Sequence, residues 1–174
     1  MNLTAEVVSI HIVKKQKSTV EPCNLVTVRA NFGIEGDYRS GKYQDGQITL
    51  VEAEAMDKAS RRLGYEISAG ASRRQIMVKG ISLNRLIGHR LRLGSVLLEG
   101  EALCKPCSNM DQRIGAGAKE AMNGKGGIRC RVIRGGRLRV GDSVTIEDSS
   151  LVFFRKLLRF PRKGIYSAMR IFQR

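Results

Sequence analysis

Residues 6–13 alternate in character, with Val8, Ile10 and Ile12 on one face and Ser9 and His11 on the other. A period of two predicts a half-buried strand. Residues 14–18 are polar and turn the chain. Residues 24–29, with Leu25, Val26 and Val28, predict a second strand. A glycine-punctuated loop with two charges near its end follows, Gly33-Ile34-Glu35-Gly36-Asp37-Tyr38-Arg39. Residues 47–51 predict a third strand, running into Glu52-Ala53-Glu54-Ala55-Met56-Asp57-Lys58-Ala59. That run is rich in helix formers and stops before Gly64. Ile76-Met77-Val78 forms a short strand, and residues 83–87 one helical turn closed by Gly88. Residues 90–93, 95–98, 128–133, 137–140 and 143–146 are short β-patterned pieces, separated by turns such as Gly135-Gly136 and Gly141-Asp142. Glu99-Gly100-Glu101 reads as a polar turn. Many short strands and one or two helices predict a mainly β domain, a barrel-like or strongly bent sheet. There is no internal repeat and no strand–helix–strand alternation, which argues against a Rossmann-type sheet.

The pattern changes after residue 148. Leu151, Phe154 and Leu158 share one helical face, as do Ile165, Met169 and Phe172 beyond the break at Pro161-Arg162-Lys163-Gly164. Arg155, Lys156 and Arg159 lie towards the other side. The chain thus divides into a β domain, residues 1–148, and a basic amphipathic helical tail, residues 149–174. Such a tail suits an anionic membrane surface or a partner protein, and equally an apolar face docked on its own domain.

Charge sharpens this division. The 174 residues carry a net +15, and residues 151–174 hold seven cations and no acid. An excess of that size implies an anionic partner: nucleic acid, a lipid surface or a phosphorylated ligand. No stretch of about 18 uncharged apolar residues is present, and residues 1–13 lack the features of a signal peptide. Four cysteines, irregularly spaced, do not make a disulfide scaffold. The expectation is a cytoplasmic protein, membrane-peripheral at most through its tail.

The chemistry centres on Cys104-Lys105-Pro106-Cys107. Two thiols at this spacing can be half a zinc site, a redox pair or one working thiolate with a neighbour. Zinc needs two more ligands, and only Cys23, Cys130, His11 and His89 remain, scattered. A thioredoxin-like pair needs a βαβ setting with a helix opening at the first Cys, and a polar, glycine-rich stretch follows instead. What is left is a single activated thiolate, suited to nucleophilic work, sulfur carriage or a soft metal, against two small loop residues without chemistry. Lys105 adjoins the thiols. Ser72-Arg73-Arg74-Gln75 offers guanidinium forks to a phosphate, or is a solvated turn. In Asn123-Gly124-Lys125-Gly126-Gly127-Ile128-Arg129-Cys130-Arg131 the glycines permit close backbone approach to a ligand. Arg129 and Arg131 share the face opposite Cys130, which reads as core. His11 and His89 read as structural or solvated.

Taken in order, the Gly33–Arg39 loop, Ser68-Ala-Gly-Ala-Ser-Arg-Arg-Gln-Ile-Met-Val-Lys-Gly80, Gly88-His-Arg-Leu-Arg-Leu-Gly94, Cys104-Lys-Pro-Cys107, Gly126-Gly-Ile-Arg-Cys-Arg-Val132 and Val140-Gly-Asp-Ser-Val144 resemble the MOSC domain. That family is named for the C-terminal domain of molybdenum cofactor sulfurases. The resemblance covers roughly residues 5–146. It implies a barrel-like fold and a thiol that handles the molybdenum cofactor (molybdopterin). That thiol carries a persulfide in sulfurase relatives and ligates molybdenum in relatives that reduce N-hydroxylated compounds. By this resemblance Cys104 is the persulfide-bearing or metal-ligating residue and Cys107 a resolving thiol. Arg73, Arg74, Gln75, Lys105, Gly126, Gly127 and Arg129 are the cofactor-binding set. Relatives commonly carry Asn where this chain has Gln75. Sulfurases also possess a pyridoxal-phosphate domain that these residues do not contain. A carrier would therefore draw sulfur from a donor such as a cysteine desulfurase, and a reductase would draw electrons from an outside partner. The competing class is a basic β-barrel that binds nucleic acid without catalysis, which scarce aromatics in residues 1–148 disfavour.

Overall fold

The computed structural model describes residues 4–147. The basic tail predicted for residues 149–174 lies outside the described residues. Eleven strands and three helices follow in chain order: β1 Glu6–Ile12, β2 Glu21–Cys23, β3 Leu25–Arg29, β4 Gly33–Ile34, β5 Ile48–Glu52, α1 Ala53–Leu63, β6 Ile76–Lys79, β7 Arg90–Leu93, β8 Val96–Leu103, α2 Ser108–Ile114, α3 Ala118–Ala121, β9 Ile128–Arg134, β10 Gly136–Arg139 and β11 Val144–Glu147. A 3₁₀ turn, Leu83–Leu86, precedes β7.

The strands make an eight-stranded sheet, ordered β11-β7-β8-β9-β5-β6-β1-β2, and a three-stranded sheet, β10-β3-β4. The fold is mainly β, as the sequence pattern predicts. The large sheet does not close into a barrel. Its far regions approach at one isolated bridge, Glu6 to Ser143, where the Val144 N–H donates to Ala5 O and the Val7 N–H to Asp142 O.

The sequence pattern shows no strand–helix–strand unit, yet β5 and β6 are parallel and α1 is the crossover between them. Parallel pairing needs such a crossover and leaves strands covered on both faces. All five residues of β5 are accordingly buried. One face of the sheet meets the core of Ile10, Ile48, Leu50, Ile76, Leu98 and Ile128. The other face, with Val51 and Met77, packs under Ala55, Met56 and Ala59 of α1, Met110 of α2, and Ala118 with Met122 around α3. Burying an aliphatic side chain of this size stabilises by about 1.5–3 kcal/mol. Helix α1 ends where Gly64 takes a left-handed φ of 79° and donates to Ser60 O.

Three elements depart from the sequence pattern. In β1 the buried positions are Val7, Ile10, His11 and Ile12, because a bulge between Val7 and Ser9 shifts the register against β6. A bulge breaks strict alternation. In β8, Glu99-Gly100-Glu101 lies inside one strand rather than in a turn, and the strand runs unbroken to Leu103. Gly100 serves there because Leu86 and Ile87 cross it so closely that a Cβ would stand 3.1 Å from the Leu86 carbonyl carbon. Lastly, α2 opens directly after Cys107, within the stretch that reads as irregular.

Candidate functional site

Strand β8 delivers Cys104. The Cys104 N–H donates to Gly127 O at 2.7 Å, which extends the β8–β9 ladder by one step. Pro106 breaks the strand. Cys107 then takes an extended backbone, φ −132° and ψ 171°, at the start of α2. The two thiols are free and differ in exposure: Cys104 is 5% exposed, whereas Cys107 is open to solvent. Cys130 is fully buried, as its alternation on β9 predicts, and burial pushes its thiol pKa up.

Arg74 ties this corner together. Its Nε donates to Gly126 O at 2.7 Å, its Nη2 to Cys104 O at 3.2 Å and its Nη1 to Ser72 O at 3.2 Å. Burial lowers the Arg74 pKa. The charges of Cys104 and Cys107 oppose that shift, while Arg129 and Arg39 reinforce it. Both thiols therefore lie within electrostatic reach of this guanidinium. Gly126 and Gly127 serve close packing of the chain on itself. A Cβ on Gly126 would stand 2.7 Å from Pro106 Cδ and 2.9 Å from Pro106 N. Gly127 has a φ of 95° and abuts the Leu50 carbonyl. Cys104, Lys105, Pro106, Gly126 and Gly127 line one cavity of about 320 Å³, together with Asn84, Lys119, Glu120 and Asn123.

Arg73 faces elsewhere. It adopts a left-handed φ of 54°, uncommon for a residue with a side chain. Its N–H donates to Gly70 O at 2.9 Å and its Nη1 to Ser18 O at 3.2 Å. Its carbonyl accepts from Arg39 Nη1 at 3.4 Å. Burial lowers the Arg73 pKa, with Arg113 and Arg39 adding to the effect and Tyr38 opposing it. Arg73 lines a second cavity of about 610 Å³, together with His11, Lys17, residues 68–71 and Arg113.

Asp37 and Arg39 are structural members that sequence reasoning passes over as two charges on a loop. The buried Asp37 carboxylate accepts from the Val13 N–H at 3.0 Å, the Arg39 N–H at 2.9 Å and Arg39 Nε at 3.1 Å. Burial pushes its carboxyl pKa up, but the bonds and charge of Arg39 and the Val13 N–H outweigh burial and hold it below the ordinary value. The Asp37-x-Arg39 spacing is the signal that could have marked the pair. Gln75 is buried under the site: its Oε1 accepts from the Thr49 N–H at 3.0 Å, and its Nε2 has no partner. Arg129 is exposed on β9, its side chain packed against Gly46. His11 is buried, and desolvation lowers its pKa.

The structure thus brings Cys104, Lys105, Gly126 and Gly127 to one cavity, with Arg74 behind it and Cys107 exposed at the start of α2. It turns Arg73 into a second cavity and buries Gln75. Among the described residues no three His, Cys, Asp or Glu side chains cluster as a metal site. None of the described helices is long and apolar enough to cross a membrane.

A family model described as the MOSC domain matches residues 37–145. The solved structure of the YuaD protein from Bacillus subtilis is similar over 82% of this chain and 94% of its own, with 19% identity and a TM-score of 0.69. YiiM from Geobacillus stearothermophilus is similar over 92% of this chain and 86% of its own, at 18% identity and a TM-score of 0.65. YiiM from Escherichia coli covers 82% and 70% respectively, at 16% identity and a TM-score of 0.64. Comparison with curated proteins finds no match.

Proposed function

The chain belongs to the MOSC domain family, and from that premise we propose that it is a sulfur carrier for molybdenum-cofactor chemistry, acting through Cys107. One observation supports this reading above the others: of the two thiols beside Arg74, Cys107 is exposed and Cys104 is 5% exposed. Sulfur passed between proteins must meet a thiol at the surface. Reactive cysteines sit in electropositive, accessible surroundings, and buried ones are inert. The roles suggested by the sequence therefore exchange, with Cys107 the working thiol and Cys104 the wall of the cavity beside it.

The loading step needs an outside persulfide donor of the cysteine-desulfurase class. The Cys107 thiolate attacks the terminal sulfur of the donor persulfide. A new S–S bond forms on Cys107, the donor's S–S bond breaks, and the donor leaves as a thiolate. The cavity next to Pro106 fits the pterin cofactor in kind: the cations Lys105 and Lys119 suit its phosphate, with Glu120 as the one carboxylate on the wall. Lys105, with Arg129 on the neighbouring strand end, would hold its phosphate. When bound, the cofactor supplies the molybdenum–sulfur centre. This chain's residues bind the phosphate, hold the Cys104–Gly126 corner through Arg74 and present the Cys107 thiol.

The test is mass spectrometry after incubation with a cysteine desulfurase and free cysteine. One added sulfur on Cys107 is expected, retained in Cys104→Ser and lost in Cys107→Ser. Sulfur found on Cys104 alone would reverse the assignment, and no added sulfur on either residue would end the carrier reading.

A further inference from the structure

Asn123 and Gly124 stand side by side in the loop between α3 and β9, and both line the cavity next to Pro106. An asparagine followed by glycine can react with its own main chain, the glycine nitrogen attacking the side-chain carboxamide. The reaction needs an accessible carboxamide that nothing holds and a free N–H on the next residue. It also needs no side chain there to screen the nitrogen, which glycine alone provides.

Asn123 is exposed, and its carboxamide makes no hydrogen bond among the described residues. The main chain around it is pinned. The Asn123 N–H donates to Glu120 O at 3.1 Å, the Lys125 N–H to Met122 O at 2.9 Å, and Asn84 Nδ2 to Gly124 O at 2.6 Å. Between these bonds the Gly124 N–H donates to nothing among the described residues. Gly124 takes a left-handed φ of 71°, and no atom lies within 4 Å of where its Cβ would stand. The other asparagines, Asn2, Asn24, Asn31, Asn84 and Asn109, each precede a residue with a large side chain. Asp45-Gly46 has the same spacing but a guarded nitrogen: the Gly46 N–H donates to Glu101 Oε2 at 2.7 Å, and the Arg129 side chain covers that glycine.

We propose that Asn123 is a site of spontaneous deamidation, which puts a carboxylate on the cavity wall and loosens the Cys104 corner. The Gly124 nitrogen loses its proton to solvent hydroxide and attacks Asn123 Cγ. A C–N bond forms, the bond to the side-chain nitrogen breaks, and ammonia leaves. Water then opens the succinimide at either carbonyl, giving aspartate or isoaspartate, with no change of oxidation state. The new carboxylate joins Glu120 against Lys105 and Lys119, so the positive excess on the cavity wall is cancelled. Isoaspartate also adds one carbon to the main chain. The loop it lengthens leads to Gly126, which packs on Pro106 with no room for a Cβ, and such packing does not absorb an extra atom without a shift. The site stands independently of the sulfur-carrier reading.

Peptide mapping by mass spectrometry, during incubation of the full chain at mildly alkaline pH, tests it. Conversion at Asn123 should run well ahead of conversion at Asn24, Asn31, Asn84 and Asn109. Asp45→Asn creates a second Asn-Gly step whose glycine N–H is held, and that step should convert severalfold more slowly than Asn123. Gly124→Ala should slow conversion at Asn123 severalfold. The isoaspartate fraction, separated by ion exchange, should show faster alkylation of Cys104 than the unmodified chain. Asn123→Asp, which adds the charge without the main-chain carbon, should alkylate as the unmodified chain does. The proposal is overturned if another asparagine converts as fast, if the two Asn-Gly steps convert at one rate, or if isoaspartate leaves Cys104 as protected as before.

Discussion

Gly126 sits where the Cys104–Pro106 backbone crosses the loop before β9, and nothing larger fits without movement. A Cβ would meet Pro106 at 2.7 Å, and the neighbouring atoms are backbone and a ring, which cannot swing aside. Gly126→Ala should therefore destabilise by about 1–3 kcal/mol, the usual cost of overpacking, measured by urea unfolding. Arg74→Ala acts on the same corner by subtraction. It leaves Gly126 O and Cys104 O without their guanidinium donor, and an unpaired buried acceptor costs about 1–3 kcal/mol. Arg74→Lys should restore little, because an ammonium cannot span two carbonyls as a planar fork does. Faster alkylation of Cys104 in Arg74→Ala would show that the corner has loosened. The sequence marks Arg73 and Arg74 as one basic pair. The structure separates them because Arg73 takes a left-handed backbone, and no composition rule predicts that for an arginine.

Strand β1 and the loop that closes on its C-terminal end hold two titrating groups with separate acid windows. His11 is buried, and its folded pKa lies below the ordinary value of about 6.5. A base whose pKa is lowered by folding leaves the unfolded chain binding more protons, so stability falls as pH drops from about 6.5 through the folded value. Asp37, which anchors the end of β1 through the Val13 N–H, has a depressed folded pKa. Its contribution is present above the unfolded value of about 3.9 and is lost as pH falls through the folded value. Urea midpoints followed from pH 8 to pH 3 should show both losses. His11→Gln should flatten the upper window alone and Asp37→Asn the lower alone. Neither effect is legible from the alternation of residues 6–13, since the bulge at Val7–Ser9 changes which side chains turn inward. By contrast, α1 was readable to its end, because Gly64 is a stop signal that tertiary context does not override. The course of β8 was hidden by Gly100, which looks like a turn residue until the crossing of Leu86 and Ile87 is seen. Helix α2 was hidden too: seven residues with one buried side chain, Met110, give no periodicity to detect.

At the scale of the whole molecule, charge and thiol chemistry separate. The Cys, Arg and Gly residues of the site fall between positions 73 and 129, and the bridge between Glu6 and Ser143 ties the two ends of the described fold together. Seven of the cations that make up the +15 fall after residue 150. Each Lys or Arg near an anionic bilayer contributes about 1 kcal/mol, and that attraction fades over a Debye length of about 8 Å at physiological salt. The full chain should therefore co-sediment with phosphatidylserine vesicles at low salt and release at high salt. Deleting residues 149–174 should abolish most of that binding while leaving Cys107 alkylation as it is in the full chain. Vesicle binding that survives the deletion would move the anionic surface onto the β domain. Salt-sensitive binding of an oligonucleotide by the deleted form would favour the nucleic-acid class. The deletion thus decides whether the charge excess serves attachment through the tail or recognition by the domain that holds the thiols.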